Sequence, residues 1–189
     1  MDNSDKKVRI PLILTLTDYS LINKQIWAEW LLYSLVGFFT PFLLGGPQFL
    51  VGFIVNAMLV LGALNLRDYR LIPLIILPSI GVFSRGLLFG PFTLFLAYLL
   101  PFIWVGNLLL VIGIKNFVLH RKWNRVFALF FSAVIKAAWL FVAAFVLYSL
   151  DLIPEKFLTF MGPFQLLTAL SGGLMAFMLH EVKKRVRVE

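Results

Sequence analysis

Lys136 is a basic residue embedded in an apolar run, eleven positions beyond Arg125. Wound as a helix at ~1.5 Å per residue, that separation places it roughly 16 Å from Arg125. In a membrane protein this is near mid-bilayer depth, where an ammonium costs at least ~2.5–3.5 kcal/mol unless its donors are satisfied. Ser132, Trp139 and Ala143 share its helical face, and that face is expected to point inward. The amides of Asn56 and Asn107 are the polar groups expected nearest to it, because an amide in hydrocarbon also needs partners. Three roles stay open for Lys136: capping helix carbonyls or reaching Glu29, touching a ligand, or touching a partner subunit.

A repeat supplies the next candidates. Gly46-Pro47-Gln48-Phe49-Leu50, Gly90-Pro91-Phe92-Thr93-Leu94 and Gly162-Pro163-Phe164-Gln165-Leu166 each open an apolar stretch. Proline suits the first helical turn, where its missing N–H has no helical partner anyway. One reading is three tight hairpin turns. The other is three helix N-termini at one face, whose partial positive charge suits a polar or anionic small molecule. Gln48, Thr93 and Gln165 lie in those first turns and are candidate solute contacts. Helical spacing extends the stripes through Gly52 and Asn56, through Ala97, Pro101, Trp104 and Asn107, and through Ala169, Gly172 and Ala176. For the small residues, close helix packing is the competing explanation. Trp104 joins the candidate set, as does Arg85, which acts either as an interface anchor or as a guard of the outer pocket.

Other chemistries lack their residues. Cysteine is absent and there are two histidines, His120 and His180. Thiolate metal sites, disulfides and a transmembrane haem ligand pair are thereby excluded. No Gly-x-Ser-x-Gly, His-Glu-x-x-His or phosphate-cradling Gly-rich loop occurs. The chain is expected to be no enzyme and to need no metal or cofactor.

The elements that must position these residues follow from composition. The 189 residues are 61% hydrophobic and 14% charged, with a mean hydropathy of +0.93. Soluble domains carry about 25% charge, so too little polar surface exists to cover a water-facing globule. At ~20 apolar residues per crossing, six stretches read as transmembrane helices: 26–44, 47–66, 71–89, 91–114, 126–150 and 156–180. The expected fold is all-α, a polytopic membrane protein with residues 1–25 as a cytoplasmic or interfacial segment, a six-helix domain over 26–180, and a basic cytoplasmic tail over 181–189. All but three of the 17 basic residues then fall on one side, the exceptions being Arg85, Lys136 and Lys156. The positive-inside bias places both termini in the cytoplasm, in the inner (plasma) membrane. Topology accounts for the net charge of +8, so a nucleic-acid partner is not expected and the lipid bilayer is.

Six short spans, cytoplasmic termini and an outward polar pocket resemble the substrate-binding S component of energy-coupling factor (ECF) transporters. Val55-Asn56, the segment 101–107 (PFIWVGN) and the segment 161–173 (MGPFQLLTALSGG) are similar to stretches of small S-component-like proteins. The resemblance implies capture of a small-molecule solute from outside, with a transmembrane coupling protein and cytoplasmic ATPases as partners. The Ala-x-x-x-Ala docking face often found on that family's first helix is missing here; Ala133 and Ala137 have the spacing on the fifth span. An accessory or anchoring subunit of a larger membrane complex is the alternative function.

Overall fold

The described residues of each of the six apolar stretches are mainly helical in the computed structural model, which describes residues 12–18, 22–44, 47–89 and 93–188, with side chains at 12–18, 22–44, 47–86 and 95–186. A short α1, Leu12–Thr15, precedes α2, Asn23–Leu44, and α3, Gln48–Asn65. A 3-10 turn, Asp68–Leu71, leads into α4, Ile72–Phe89. Next come α5, Thr93–Ile114, a π-helical extension, Lys115–His120, and α6, Arg125–Ser149. The last pair is α7, Lys156–Met161, and α8, Pro163–Val188. No strand occurs among the described residues. Five helical segments are long and apolar enough to cross a membrane: Asn23–Leu44, Gln48–Asn65, Phe95–His120, Arg125–Ser149 and Lys156–Val186.

Helix ends follow local chemistry. Pro47, at φ −65°, precedes α3, and the Asn124 side chain accepts from Val126 N at 2.9 Å to start α6. Asp151 and Lys122 take left-handed φ of 56° in the loops bounding α6, where the chain reverses. Beyond α5 the hydrogen bonding widens, with Arg121 N donating to Asn116 O at 2.8 Å. The final stretch departs from one unbroken span: Gly162 divides it, and its helix runs through the expected tail to Val188.

Close packing holds α3 against α8, α2 against α4 and α5 against α6. At Gly172 a Cβ would sit 2.3 Å from Phe53 O, and at Gly52 one would sit 2.9 Å from Thr168 Cγ2. The glycines of the α3 and α8 stripes therefore serve helix approach, the mechanism small residues provide in membranes. Buried apolar side chains form two groups. The larger joins the second half of α3 to Leu110, Val111 and Ile114 of α5 and Leu129 of α6. The smaller joins Leu99, Leu140 and Leu147 to Ile153, Phe157 and Met161 at the opposite end. The perimeter is apolar, with Phe127, Phe130, Val142 and Phe145 of α6 all exposed. Such a surface suits lipid better than water.

Candidate functional site

Between the two buried groups lies a cavity of about 120 Å³. Gln48 and Gln165, from the first turns of α3 and α8, line it at one end. Eight residues on from Gln48, roughly 12 Å along the helix, Asn56 lines it together with Asn107 of α5 and Lys136 of α6. These three are sealed in the protein, at 1%, 2% and 2% exposure. Lys136 Nζ donates to Asn56 Oδ1 at 2.6 Å and to Asn107 Oδ1 at 2.9 Å. Two of its three donors are thus used, and the third meets no acceptor among the described residues. No carboxylate among the described residues lines the cavity, so amide dipoles solvate the ammonium without cancelling its charge.

The amides are held in place from behind. Asn56 Nδ2 donates to Gly52 O at 2.9 Å and to Thr168 Oγ1 at 3.2 Å. Asn107 Nδ2 donates to Ile75 O at 2.9 Å. Each amide has its nitrogen committed to an acceptor, which turns its oxygen toward Lys136. The Thr168 hydroxyl donates to Phe164 O at 3.0 Å, and that of Ser79 donates to Ile76 O at 2.8 Å. Trp104 Nε1 donates to Ser79 Oγ at 2.6 Å. Five helices, α3, α4, α5, α6 and α8, therefore contribute to one polar network; among the described residues the third donor of Lys136 and the second N–H of Asn107 are left open in it.

Five candidate residues meet at this cavity: Gln48, Asn56, Asn107, Lys136 and Gln165. Trp104 is one hydrogen bond removed, behind Ser79. Arg85 is elsewhere; its Nη1 donates to Phe42 O at 3.0 Å and Leu43 O at 2.9 Å, capping the end of α2. The Thr93 side chain, like Gly46 and Gly90-Pro91-Phe92 of the repeated turns, falls outside the described set. Trp139 departs from the expected inward face. It is 37% exposed, and its indole donates to Phe102 O, while Ser132 and Ala143 are buried as expected. Sequence reasoning missed two contributors, Ser79 and Thr168. Thr168 lies one turn beyond Gln165 on the same helix, a spacing that would have found it.

A second polar cluster closes the charged end of the bundle. Glu29 is 6% exposed and receives Lys183 Nζ at 2.7 Å, Tyr33 Oη at 3.0 Å and Asn65 Nδ2 at 3.0 Å. Glu29 thus belongs to α8 and α3 and is not the partner of Lys136. Asp18 meets His180 Nε2 at 2.8 Å and Lys184 Nζ at 3.4 Å. Burial alone raises the Asp18 carboxyl, but the His180 hydrogen bond and the Lys184 charge outweigh it and hold the group below its ordinary value. Arg125 pairs with Glu181 beside it. Lys115, fully buried, donates to Leu16 O at 2.5 Å and Leu66 O at 2.8 Å. It thereby ties the N-terminal segment to the end of α3, a structural role its place in a basic loop did not signal.

No protein-family model, curated protein or solved structure matches the chain.

Proposed function

We propose that the chain is a six-span membrane protein, both termini cytoplasmic, that captures a small polar or anionic solute from the non-cytoplasmic face. The observation that carries this reading is Lys136. It is a buried ammonium in a cavity, held by two amide oxygens and facing no carboxylate. A purely structural lysine would be expected to spend its donors on carbonyls, as Lys115 does. The helix Ile72–Phe89 serves as the sixth span, since it packs lengthwise on α2 and both proline positions, Pro73 and Pro78, are tolerated within membrane bundles. Gln48 and Gln165, in the first turns of α3 and α8, line the cavity, so the positive ends of both helices lie near its mouth, a field favourable to negative charge.

Delivery across the membrane on this reading belongs to separate energy-coupling subunits, as the resemblance to ECF S components implies. The chain itself is not an enzyme. An accessory-subunit role is favoured by one feature, an apolar groove between α2 and α4 lined by Trp30, Leu35, Phe38 and Ile76. A lateral partner and a solute pocket are compatible on one protein.

Two measurements test the proposal. In intact cells, Gln48→Cys and Glu155→Cys should react with an impermeant thiol reagent, and Arg121→Cys should not; the reverse pattern overturns the orientation. Native mass spectrometry of gently purified protein should release a small solute that Lys136→Met does not retain. Equal solute on both proteins removes Lys136 from the site.

A further inference from the structure

The donors that face the cavity define which anion it accepts. We infer that the occupant is an organic monocarboxylate with a compact apolar body, about the size of one six-membered ring. This rests on the capture reading above and names its solute class.

Charge comes first. Among the described residues, Lys136 is the one cationic side chain lining the cavity, and no acid lines it. Buried charge is tolerated when paired, so a single negative charge leaves the site neutral. A dianion such as phosphate or succinate carries a surplus charge into the bundle. The donor count agrees. The Asn56 amide nitrogen is committed to Gly52 and Thr168, and that of Asn107 donates to Ile75 O. The hydroxyl protons of Ser79 and Thr168 are committed to carbonyls of their own helices. The donors left at the floor among the described residues are the third N–H of Lys136 and the second N–H of Asn107, which together suit the two oxygens of one carboxylate. Phosphate and sulfate oxyanions are ordinarily bound by several convergent donors or a bidentate arginine, and the floor offers neither.

The walls set the rest of the molecule. Val51, Val55, Val82, Leu100, Ile103 and Phe164 surround the space between floor and mouth. A sugar or polyol would bury hydroxyls there without partners, each at a penalty. A cavity of roughly 150 Å³ holds benzene in a well-characterised protein host, so about 120 Å³ here, open at its mouth, limits the buried body to one ring at most or a short branched chain. Gln48 and Gln165 at the mouth give the far end of the ligand an amide to meet.

The test is a binding panel on the unaltered full-length protein in lipid nanodiscs, read by calorimetry and thermal shift. The probes are benzoate, its neutral isostere benzamide, succinate and inorganic phosphate. Benzoate should bind at least tenfold more tightly than each of the others, and Lys136→Met should lose at least tenfold in benzoate affinity. Benzamide equal to benzoate shows that charge is not recognised and overturns the assignment. Succinate or phosphate equal to benzoate also overturns it, while leaving anion capture standing. Failure of benzoate to bind overturns it as well, and the solute released in native mass spectrometry then decides separately whether capture survives. Because the panel is read on the unaltered chain, it remains decisive even if Lys136→Met does not fold.

Discussion

Replacing Lys136 by methionine separates the cost of the buried ammonium from its use. Methionine keeps an unbranched chain of similar length and fills the same space. The change deletes hydrogen bonds of 2.6 and 2.9 Å to Asn56 and Asn107, leaving two buried amide oxygens without that donor. Such orphaned acceptors cost about 1–3 kcal/mol each. Against this, removing a buried ammonium from the mid-bilayer depth that the proposed topology gives it recovers ~2.5–3.5 kcal/mol. Two orphaned oxygens cost about 2–6 kcal/mol in all, so Lys136→Met should fall between about 1.5 kcal/mol above and about 3.5 kcal/mol below the parent in stability. Asn107→Leu behaves differently, because the charge stays and loses an acceptor; it should be destabilised by about 1–3 kcal/mol. Solute affinity should fall in Lys136→Met by the worth of a hydrogen bond to a charged group, about 1.5–3 kcal/mol or roughly 10- to 150-fold. Thermal unfolding in nanodiscs and calorimetry with the co-purified solute give both quantities. The reasoning is refuted if Asn107→Leu melts no lower than the parent, or if Lys136→Met binds solute undiminished.

Three further outcomes probe the scaffold. Gly172→Ala should lower the melting temperature, by about 1–3 kcal/mol of overpacking, since its Cβ would meet Phe53 O at 2.3 Å. Gly37→Ala, with Pro78 Cγ at 3.4 Å, should be tolerated. Lys115→Met should speed proteolytic cleavage near residues 16–22 and leave solute affinity unchanged, because it frees Leu16 O and Leu66 O far from the cavity. Asp18 has a folded value below its ordinary 3.8, so its contribution is complete above that value and fades as pH falls through the lowered one. Asp18→Asn should therefore lower stability at neutral pH and remove the corresponding loss in an acid melting series.

The residues show how much of this was legible beforehand. Six apolar stretches were visible because membrane burial demands long uninterrupted apolar helix, a requirement written locally in the chain. Their helical state needed no knowledge of neighbours. Lys136 stood out by the same logic, since one charge in such a stretch is costly wherever the helix packs. Asn56 and Asn107 were picked out because buried amides need partners, and here the partner is that lysine. Periodicity also placed Gln48 and Gln165 on the faces that reach the cavity.

Arg85, Trp104 and Trp139 were read from their own helices, and each found its partner on another one. Arg85 caps α2, Trp104 reaches α4 and Trp139 turns to the Phe102 carbonyl at the bundle surface. In the sequence Glu29 is a possible partner of Lys136, and Lys115 counts only toward the basic side, yet both are buried because segments distant in sequence fold over them. Composition and spacing by themselves determined the all-helical fold, the apolar helices and the lone charge among them, because these depend on transfer from water to hydrocarbon residue by residue. The tertiary structure alone decided that Thr168 and the Ile75 carbonyl hold the Asn56 and Asn107 amides from behind, and that the third donor of Lys136 meets no acceptor among the described residues. Those outcomes depend on how α3, α5, α6 and α8 rotate against one another, and that rotation is set by side-chain and glycine packing across helices as much as 112 positions apart, as between Asn56 and Thr168.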